Sequence, residues 1–358
     1  MKITIIVGTR PEIIKMAPVI RELERQDKEY FILHTGQHYS YNLDRVFFEQ
    51  LKLPPSKYNL EVGSGSPAEQ TAKILIGVEK VLQQESPDVV LVEGDTNSVL
   101  AGALATIKLH IKLGHVEAGL RSYDRNMPEE INRILADHCS DLLFAPTEKA
   151  RVILWSEGIP KEKIFITGNT IVDAIYQNLE IAKNSANTIN TLYLKPKEYF
   201  LVTVHRQENV DNRARFASIL EGLDGIADEF GMPAIYPIHP HSRKTMAEFG
   251  LQPRGLRLVE PMDFLSFLQL ESSARLVLTD SGGVQEEACI LSVPCVTLRD
   301  NTERPETLVV GSNILAGVSP DRILKHARLM LNRENNWENP FGDGKAGRRI
   351  VDILEGKI

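Results

Sequence analysis

Short apolar runs alternate with longer segments of helical periodicity along most of the chain. The runs at 3–7, 30–34, 89–92, 111–115, 142–145 and 164–167 are four or five residues long and largely apolar, the pattern of parallel strands buried on both faces. Between them, 12–25, 68–84, 101–106, 148–157 and 171–182 predict helices. In the first of these, Ile13, Ile14, Ala17, Ile20 and Leu23 share one face. Residues 44–48 predict a further helix that ends near Pro54 and Pro55, and Pro128 followed by Glu129 and Glu130 marks another helix start. Strand, helix and strand in succession imply βαβ units and a parallel sheet.

A polar Asn/Ser/Thr stretch at 184–194 interrupts the alternation, which then restarts. Strands are expected at 199–204, 234–237, 256–259, 276–279 and 295–297. Helices are expected at 213–226, 263–270, from Val284 onward, at 320–332 and at 347–354. The chain therefore reads as two successive halves of one α/β architecture: 1–170, a connection at 171–194, and 195–336. At 358 residues it is too long for one comfortable core and suits two domains.

Composition narrows the classes of partner. The hydrophobic fraction is 42% and the charged fraction 25%, ordinary values for a globular protein. A net charge of −7 without a Lys/Arg block argues against nucleic acid, although local Arg and Lys residues could hold a small phosphorylated ligand. Cys139, Cys289 and Cys295 show no CxxC spacing and imply a reducing, cytoplasmic compartment. The run at 2–7 is too short for a membrane span or a signal h-region, so no membrane insertion is expected.

The chemistry-bearing residues gather at expected strand ends, where open parallel sheets carry their sites. Asp280-Ser281-Gly282-Gly283 follows a strand and opens a helix. That turn points unpaired N–H groups and the positive helix end at one place, fit for a phosphate. Glu286 and Glu287 follow at once, so a sugar diol beside the phosphate suits the site better than anions alone; two glycines here are also consistent with a plain turn. Arg10 and Lys15 lie on the loop and helix after the first strand, facing the crevice or solvent. Asp95, Glu117 and Glu129 are acids on three separate loops, and His205 opens a charged loop with Arg206 and Glu208. Together they could move protons, although Asp95 and Glu129 also suit capping roles. Neither His239 with His241 nor His34 with His38 sits in an H-E-x-x-H helix, so no metal and no other cofactor is expected.

Eight motifs, in order through both halves, resemble the non-hydrolysing UDP-N-acetylglucosamine 2-epimerases. They run from Gly8-Thr9-Arg10-Pro11-Glu12-Ile13-Ile14-Lys15, Gly36-Gln37-His38, Gly94-Asp95-Thr96 and Glu117-Ala118-Gly119-Leu120-Arg121 to Pro128-Glu129-Glu130-Ile131-Asn132-Arg133. His205-Arg206-Gln207-Glu208-Asn209, Ser281-Gly282-Gly283-Val284-Gln285-Glu286-Glu287-Ala288 and Arg299-Asp300-Asn301-Thr302-Glu303-Arg304-Pro305-Glu306 complete the set. Together they are highly specific.

The resemblance implies a GT-B-like fold, two Rossmann-like domains with parallel sheets facing across a cleft. It also implies that the segment 337–358 returns to the first domain, and a homodimer. The implied substrate is UDP-N-acetylglucosamine (UDP-GlcNAc) and the product UDP-N-acetylmannosamine (UDP-ManNAc), reached by loss and return of UDP through 2-acetamidoglucal.

On the same likeness, Asp95, Glu117, Glu129 and His205 serve acid/base work or its electrostatic support. Arg10, Lys15, Ser281, Gly282 and Gly283 look like diphosphate contacts, Glu287 like the acceptor of ribose hydroxyls, and Phe267 like the neighbour of uracil. Phe267 is equally compatible with a core position. Gln37, Arg206 and His239 resemble parts of an activator pocket that some bacterial relatives use for a second UDP-GlcNAc. Here Ser40 and Glu69 stand where those relatives tend to carry Gln and Arg, and an acid in place of Arg repels phosphate. Asp211 stands where a glycine often follows the His205 motif. A hydrolysing epimerase, a glycosyltransferase and a non-catalytic UDP-sugar sensor are the competing readings.

Overall fold

The computed structural model describes residues 1–357 apart from 38–40 and 185–186, and describes the backbone alone at 41–45. His38 and Ser40, both named above, lie outside the described residues. The chain divides into two compact units, Met1–Gln177 with Phe341–Ile358, and Asn178–Pro340.

The first unit is built on a seven-stranded parallel sheet. Its strands are β1 (Lys2–Val7), β2 (Glu29–His34), β3 (Tyr58–Asn59), β4 (Val89–Glu93), β5 (Lys112–Val116), β6 (Leu142–Ala145) and β7 (Ile164–Ile166), in the order β3-β2-β1-β4-β5-β6-β7. The helices Arg10–Arg25, Pro67–Glu85, Asn97–Lys108, Pro128–Cys139 and Glu148–Ser156 are the crossovers expected from periodicity. Ile6, Leu33, Val90, Val92 and Leu113 of the sheet join Ile74, Val78, Leu82 and Val99 of the helices in one buried cluster. Apolar side chains on both sheet faces are what made these strands read as unbroken hydrophobic runs.

The second unit repeats the design with six parallel strands. These are β8 (Phe200–Thr203), β9 (Ala234–Pro237), β10 (Leu256–Val259), β11 (Leu276–Thr279), β12 (Cys295–Thr297) and β13 (Asn313–Leu315), in the order β10-β9-β8-β11-β12-β13. Phe200, Val202, Leu276, Leu278 and Val296 pack with Phe216, Ile219, Leu223 and Ile226 of helix Arg213–Phe230. In each unit the strand order reverses beside the first strand, at β1/β4 and at β8/β11. Chain crossovers depart in opposite directions there, which leaves a crevice beyond the carboxyl ends of the two strands.

Several elements went beyond the periodicity. The strand β3 has only two residues, and β13 contains only Ile314 and Leu315 as apolar side chains. Helix Pro240–Glu248 buries Ser242, Thr245 and Met246 rather than an apolar stripe, and Pro305–Val309 is little more than one turn. The polar stretch after helix Thr170–Lys183 holds one short turn, Thr188–Thr191.

The last helix, Ala346–Lys357, belongs to the first unit. Its first-turn N–H groups have no helical partner. Asp173 supplies one: its carboxylate accepts from Ala346 N–H at 3.1 Å and Gly347 N–H at 3.0 Å. Gly347 lies so close to helix Arg10–Arg25 that an added Cβ would stand 2.8 Å from the Pro18 carbonyl carbon. Asp173 is 3% exposed, so its loss strands buried donors. Asp173→Ala should lower the unfolding free energy by roughly 1–3 kcal/mol and loosen the last helix. Urea denaturation with limited proteolysis checks this; unchanged stability and an equally protected C-terminus would contradict it.

Candidate active site

In the first unit the β1/β4 reversal brings together the turn after β1 and the turn after β4. Glu12, in the first turn of helix Arg10–Arg25, is 2% exposed and reaches into both. It accepts the N–H of Gly8 and, at 3.1 Å, that of Thr9, while its other oxygen accepts the Thr96 hydroxyl. Burial pushes the Glu12 carboxyl up to about 7, and the bonds from Thr96, Gly8 and Thr9 pull against that rise.

One helical turn further on, Lys15 lies between two acids. Its Nζ is 3.2 Å from Glu93 at the end of β4 and 2.5 Å from Glu117 just past β5. Glu117 holds a left-handed φ of 67°, unusual outside glycine, at the position where its carboxylate meets Lys15. Burial holds Glu93 well above the usual carboxylate range; Lys15 opposes this, while Glu117 and Glu12 add to it.

Asp95 is held from the other side. Arg133 lies 2.6 Å from its carboxylate, and Asn132 donates to its carbonyl at 2.9 Å. Arg133 also meets Glu130 at 2.8 Å. Glu130 is buried and accepts from Ser122 N–H and Oγ–H and from Tyr123 N–H, at 2.8–2.9 Å. Glu130 thus folds the 122–123 turn back onto helix Pro128–Cys139, while Glu129 stands exposed beside it. Arg10 sits half-buried with its guanidinium 5.5 Å from the Phe47 ring centre. Gln37 is 5% exposed and accepts the Ser98 N–H at 3.2 Å and hydroxyl at 2.7 Å.

The second unit has its own braced reversal. Asp280, at the end of β11, is fully buried and accepts the backbone N–H groups of His205 and Arg206 at 3.1 Å and Asn209 Nδ2 at 3.0 Å. His205 Nδ1 lies 3.3 Å from the same carboxylate, and about half of its side chain is exposed. The next residue, Ser281, caps helix Gly282–Ile290, with its hydroxyl facing Val284 N–H at 3.5 Å. A Cβ at Gly282 would displace the Glu303 carboxylate, which lies over it; Gly283 is exposed. Glu303 is in turn held by Arg206 at 2.9 Å and Arg299 at 2.7 Å. Burial raises the Glu303 carboxyl, but Arg299 and Arg206 bring it below the ordinary value.

Glu287 is half-buried and meets the fully buried Glu271, whose carboxyl is pushed well up by burial and then by Glu287. Phe267 is half-buried against the cluster of Leu270, Val277 and Val293. His239 caps helix Pro240–Glu248 by accepting His241 N–H at 3.2 Å, and His241 pairs with Asp211 at 2.6 Å. Glu69 is paired with Lys73 at 2.8 Å.

Of the residues singled out from sequence, Lys15 and Glu117 meet directly, and Asp95 enters the Arg133–Glu130 network. In the second unit, His205 and Arg206 share Asp280, which adjoins Ser281 and Gly282. Glu93, Glu130, Asp280 and Glu303 were not singled out, although all four stand inside or beside the quoted motifs. Their signal is an acid at a strand end or helix start that a nearby Arg, Lys or backbone N–H can claim. Among the described residues no cluster of three His, Cys, Asp or Glu side chains could hold a metal ion, and no helix is long and apolar enough to cross a membrane.

Two Rossmann-like units with parallel sheets, each braced at its strand-order reversal by a buried carboxylate, define a protein of GT-B-like fold. The sequence pattern of the UDP-N-acetylglucosamine 2-epimerases matches residues 21–355. A UDP-N-acetylglucosamine 2-epimerase of Methanocaldococcus jannaschii is 56% identical over 362 residues, spanning 99% of each chain. A crystal structure of the M. jannaschii UDP-GlcNAc 2-epimerase in complex with UDP-GlcNAc and UDP is similar at a TM-score of 0.87 and 56% identity, over 99% of this chain and 100% of that one. A UDP-2,3-diacetamido-2,3-dideoxy-D-glucuronate 2-epimerase of Pseudomonas aeruginosa is 40% identical over 358 residues, again 99% of both chains. The chain belongs to the UDP-N-acetylglucosamine 2-epimerase family.

The Glu12 environment has a consequence for pH. A carboxyl near 4.5 in the unfolded chain and about 7 in the fold binds its proton more tightly when folded, so its stabilising effect is complete below about 4.5 and is lost by about 7. Glu12→Gln should remove a decline of about 3 kcal/mol across that window. Urea unfolding of both proteins between these limits checks the slope; parallel curves would contradict it.

Proposed function

We propose that this protein is a non-hydrolysing epimerase that interconverts UDP-GlcNAc and UDP-ManNAc. The second unit holds the UDP, and the first supplies the groups that move the C2 proton. The observation that supports this most is the pairing of Glu117 with Lys15 at 2.5 Å at the end of β5, in a chain aligned end to end with 2-epimerases of UDP-sugars.

A proton on a saturated C2 is too weakly acidic for simple removal. Its loss becomes feasible when the electron pair of the C2–H bond forms the C1–C2 double bond as the C1–O bond breaks, with UDP leaving as the anion. The product of this half-reaction is 2-acetamidoglucal. A proton then returns to C2 on the opposite face, and a UDP oxygen closes on C1. Carboxylates near neutral pH can take and return that proton, and Asp95 and Glu117 are the acids that Arg133 and Lys15 hold in place. Glu129 and His205 serve beside them.

The departing diphosphate needs donors and positive charge. Ser281, Gly282 and Gly283 offer the start of helix Gly282–Ile290, with Arg10 and Lys15 as cationic contacts. Lys15 therefore has two tasks: it holds the Glu117 carboxylate and meets negative charge that grows on UDP. Glu287 receives the ribose hydroxyls and Phe267 lies against uracil. A second UDP-GlcNAc as activator would draw on Gln37, Arg206 and His239. The protein acts as a cytoplasmic homodimer that supplies a manno sugar for polysaccharide assembly.

Reaction with UDP-GlcNAc in deuterated water should give UDP-ManNAc carrying deuterium at C2, with nucleotide and sugar still joined. Free N-acetylmannosamine with UDP would instead indicate the hydrolysing reaction, and binding without exchange a sensor. Turnover of the diacetamido glucuronate analogue in preference to UDP-GlcNAc would reassign the substrate. Glu117→Gln should lower kcat by roughly 100-fold or more while UDP still binds; a variant with wild-type kcat would remove Glu117 from proton transfer.

A further inference from the structure

The proposed chemistry leaves the buried His115 without a task. His115, in β5, is 1% exposed, with Nδ1 2.7 Å from Asp137 Oδ1 and Nε2 2.8 Å from the Gly94 carbonyl oxygen. A carbonyl oxygen can only accept, so Nε2 must carry a proton. Asp137 Oδ2 receives Gly119 N–H at 3.2 Å and lies 2.7 Å from Arg121 Nη1. With Oδ2 already taken by two donors, Oδ1 is the acceptor that faces the ring, and it receives Nδ1–H. Both ring nitrogens therefore donate, which is possible only for imidazolium.

We infer that His115, as a cation paired with Asp137, is a positioning residue that ties the turn at 94–95 to the turn at 117–121 and so sets the Asp95 and Glu117 carboxylates. This rests on the proton-transfer roles proposed above. One of its two bonds ends on the first turn, and the other ends on Asp137, which holds the second from helix Pro128–Cys139. Gly94 immediately precedes Asp95, and Asp137 holds Gly119 and Arg121, two and four residues beyond Glu117. A neutral ring would have one donor and would release one turn.

The surrounding charges favour the cation. Burial alone would lower the affinity of the ring for its second proton, but Asp137, the Gly94 carbonyl and Glu117 together hold it above the ordinary histidine value. Asp137 faces it from helix Pro128–Cys139 and Glu117 from the end of its own strand. Beyond Asp137 stands Arg121, whose charge is matched by Glu157 at 2.6 Å. Glu157 also lies 3.8 Å from the half-exposed His138.

The test is His115→Gln, whose amide can donate to one turn but cannot bridge both. Displacing the carboxylates should lower kcat by about 10–100-fold, with the KM for UDP-GlcNAc and the affinity for UDP nearly unchanged. An unchanged kcat would overturn the assignment, as would kcat and UDP affinity falling together. Nitrogen NMR of the unaltered protein, made with isotope-labelled histidine and assigned through contacts with Gly114 and Val116, gives a second readout that needs no variant. Both ring nitrogens of His115 should be protonated at neutral pH, and a neutral ring would overturn the proposal even if the variant failed to fold. Absence of epimer formation by the wild-type protein would instead defeat the proposed reaction, while the NMR result would still decide the charge of the ring.

Discussion

Lys15 is the cation on which the buried acids of the first unit depend. Glu12, Glu93 and Glu117 approach the end of one sheet, and Lys15 reaches two of them. Two buried carboxylates, Glu12 and Glu93, with Glu117 beside them cannot all stay ionised without a large desolvation cost, so protons are retained in the cluster near neutral pH. Burial moves Glu12 and Glu93 upward, with Asp95 adding to the first and Glu117 and Glu12 to the second, while Lys15 opposes the rise at Glu93 and pairs with Glu117. Placing one acid in its charged form beside others that keep their protons is the electrostatic condition for proton transfer near pH 7.

The second unit solves a different problem with the same device. Asp280 gathers the backbone donors of His205 and Arg206 and the side chain of Asn209, and so fixes the loop after β8 against the turn after β11. The helix start at Ser281 is thereby held at the strand-order reversal. Glu303 keeps Arg206 and Arg299 nearby and fills the space above Gly282. Preorganised donors of this kind need little rearrangement when a diphosphate gains charge.

Most of the architecture was legible in the sequence because parallel strands buried on both faces write themselves as short apolar runs. The crossover helices carry stripes at the matching period. The elements that escaped notice have little to show: β3 is two residues long, and helix Pro240–Glu248 buries a serine, a threonine and a methionine. Local periodicity also located the last helix but contained nothing about where it docks, which Asp173 and Gly347 decide through contacts more than 170 residues apart in sequence. Residue types and strand ends singled out Asp95 and Glu117 as candidates in the first unit, and Ser281 and His205 in the second. The supporting acids were harder to see, since Glu12 reads as an ordinary first-turn acid, and Glu93 and Asp280 as the polar ends of strands. What separates them from capping residues is burial and the convergence of donors from distant loops.

The central claim is that the bond between C1 and UDP breaks and reforms each time C2 inverts. It is tested most directly with UDP-GlcNAc carrying a heavy-oxygen label in the bridge between the sugar and the β-phosphate. During epimerisation the label should spread into the non-bridging positions of the β-phosphate, because the released diphosphate can rotate before it returns. Epimerised product with the label wholly retained in the bridge, at turnover numbers where UDP rotation is free, would contradict the account.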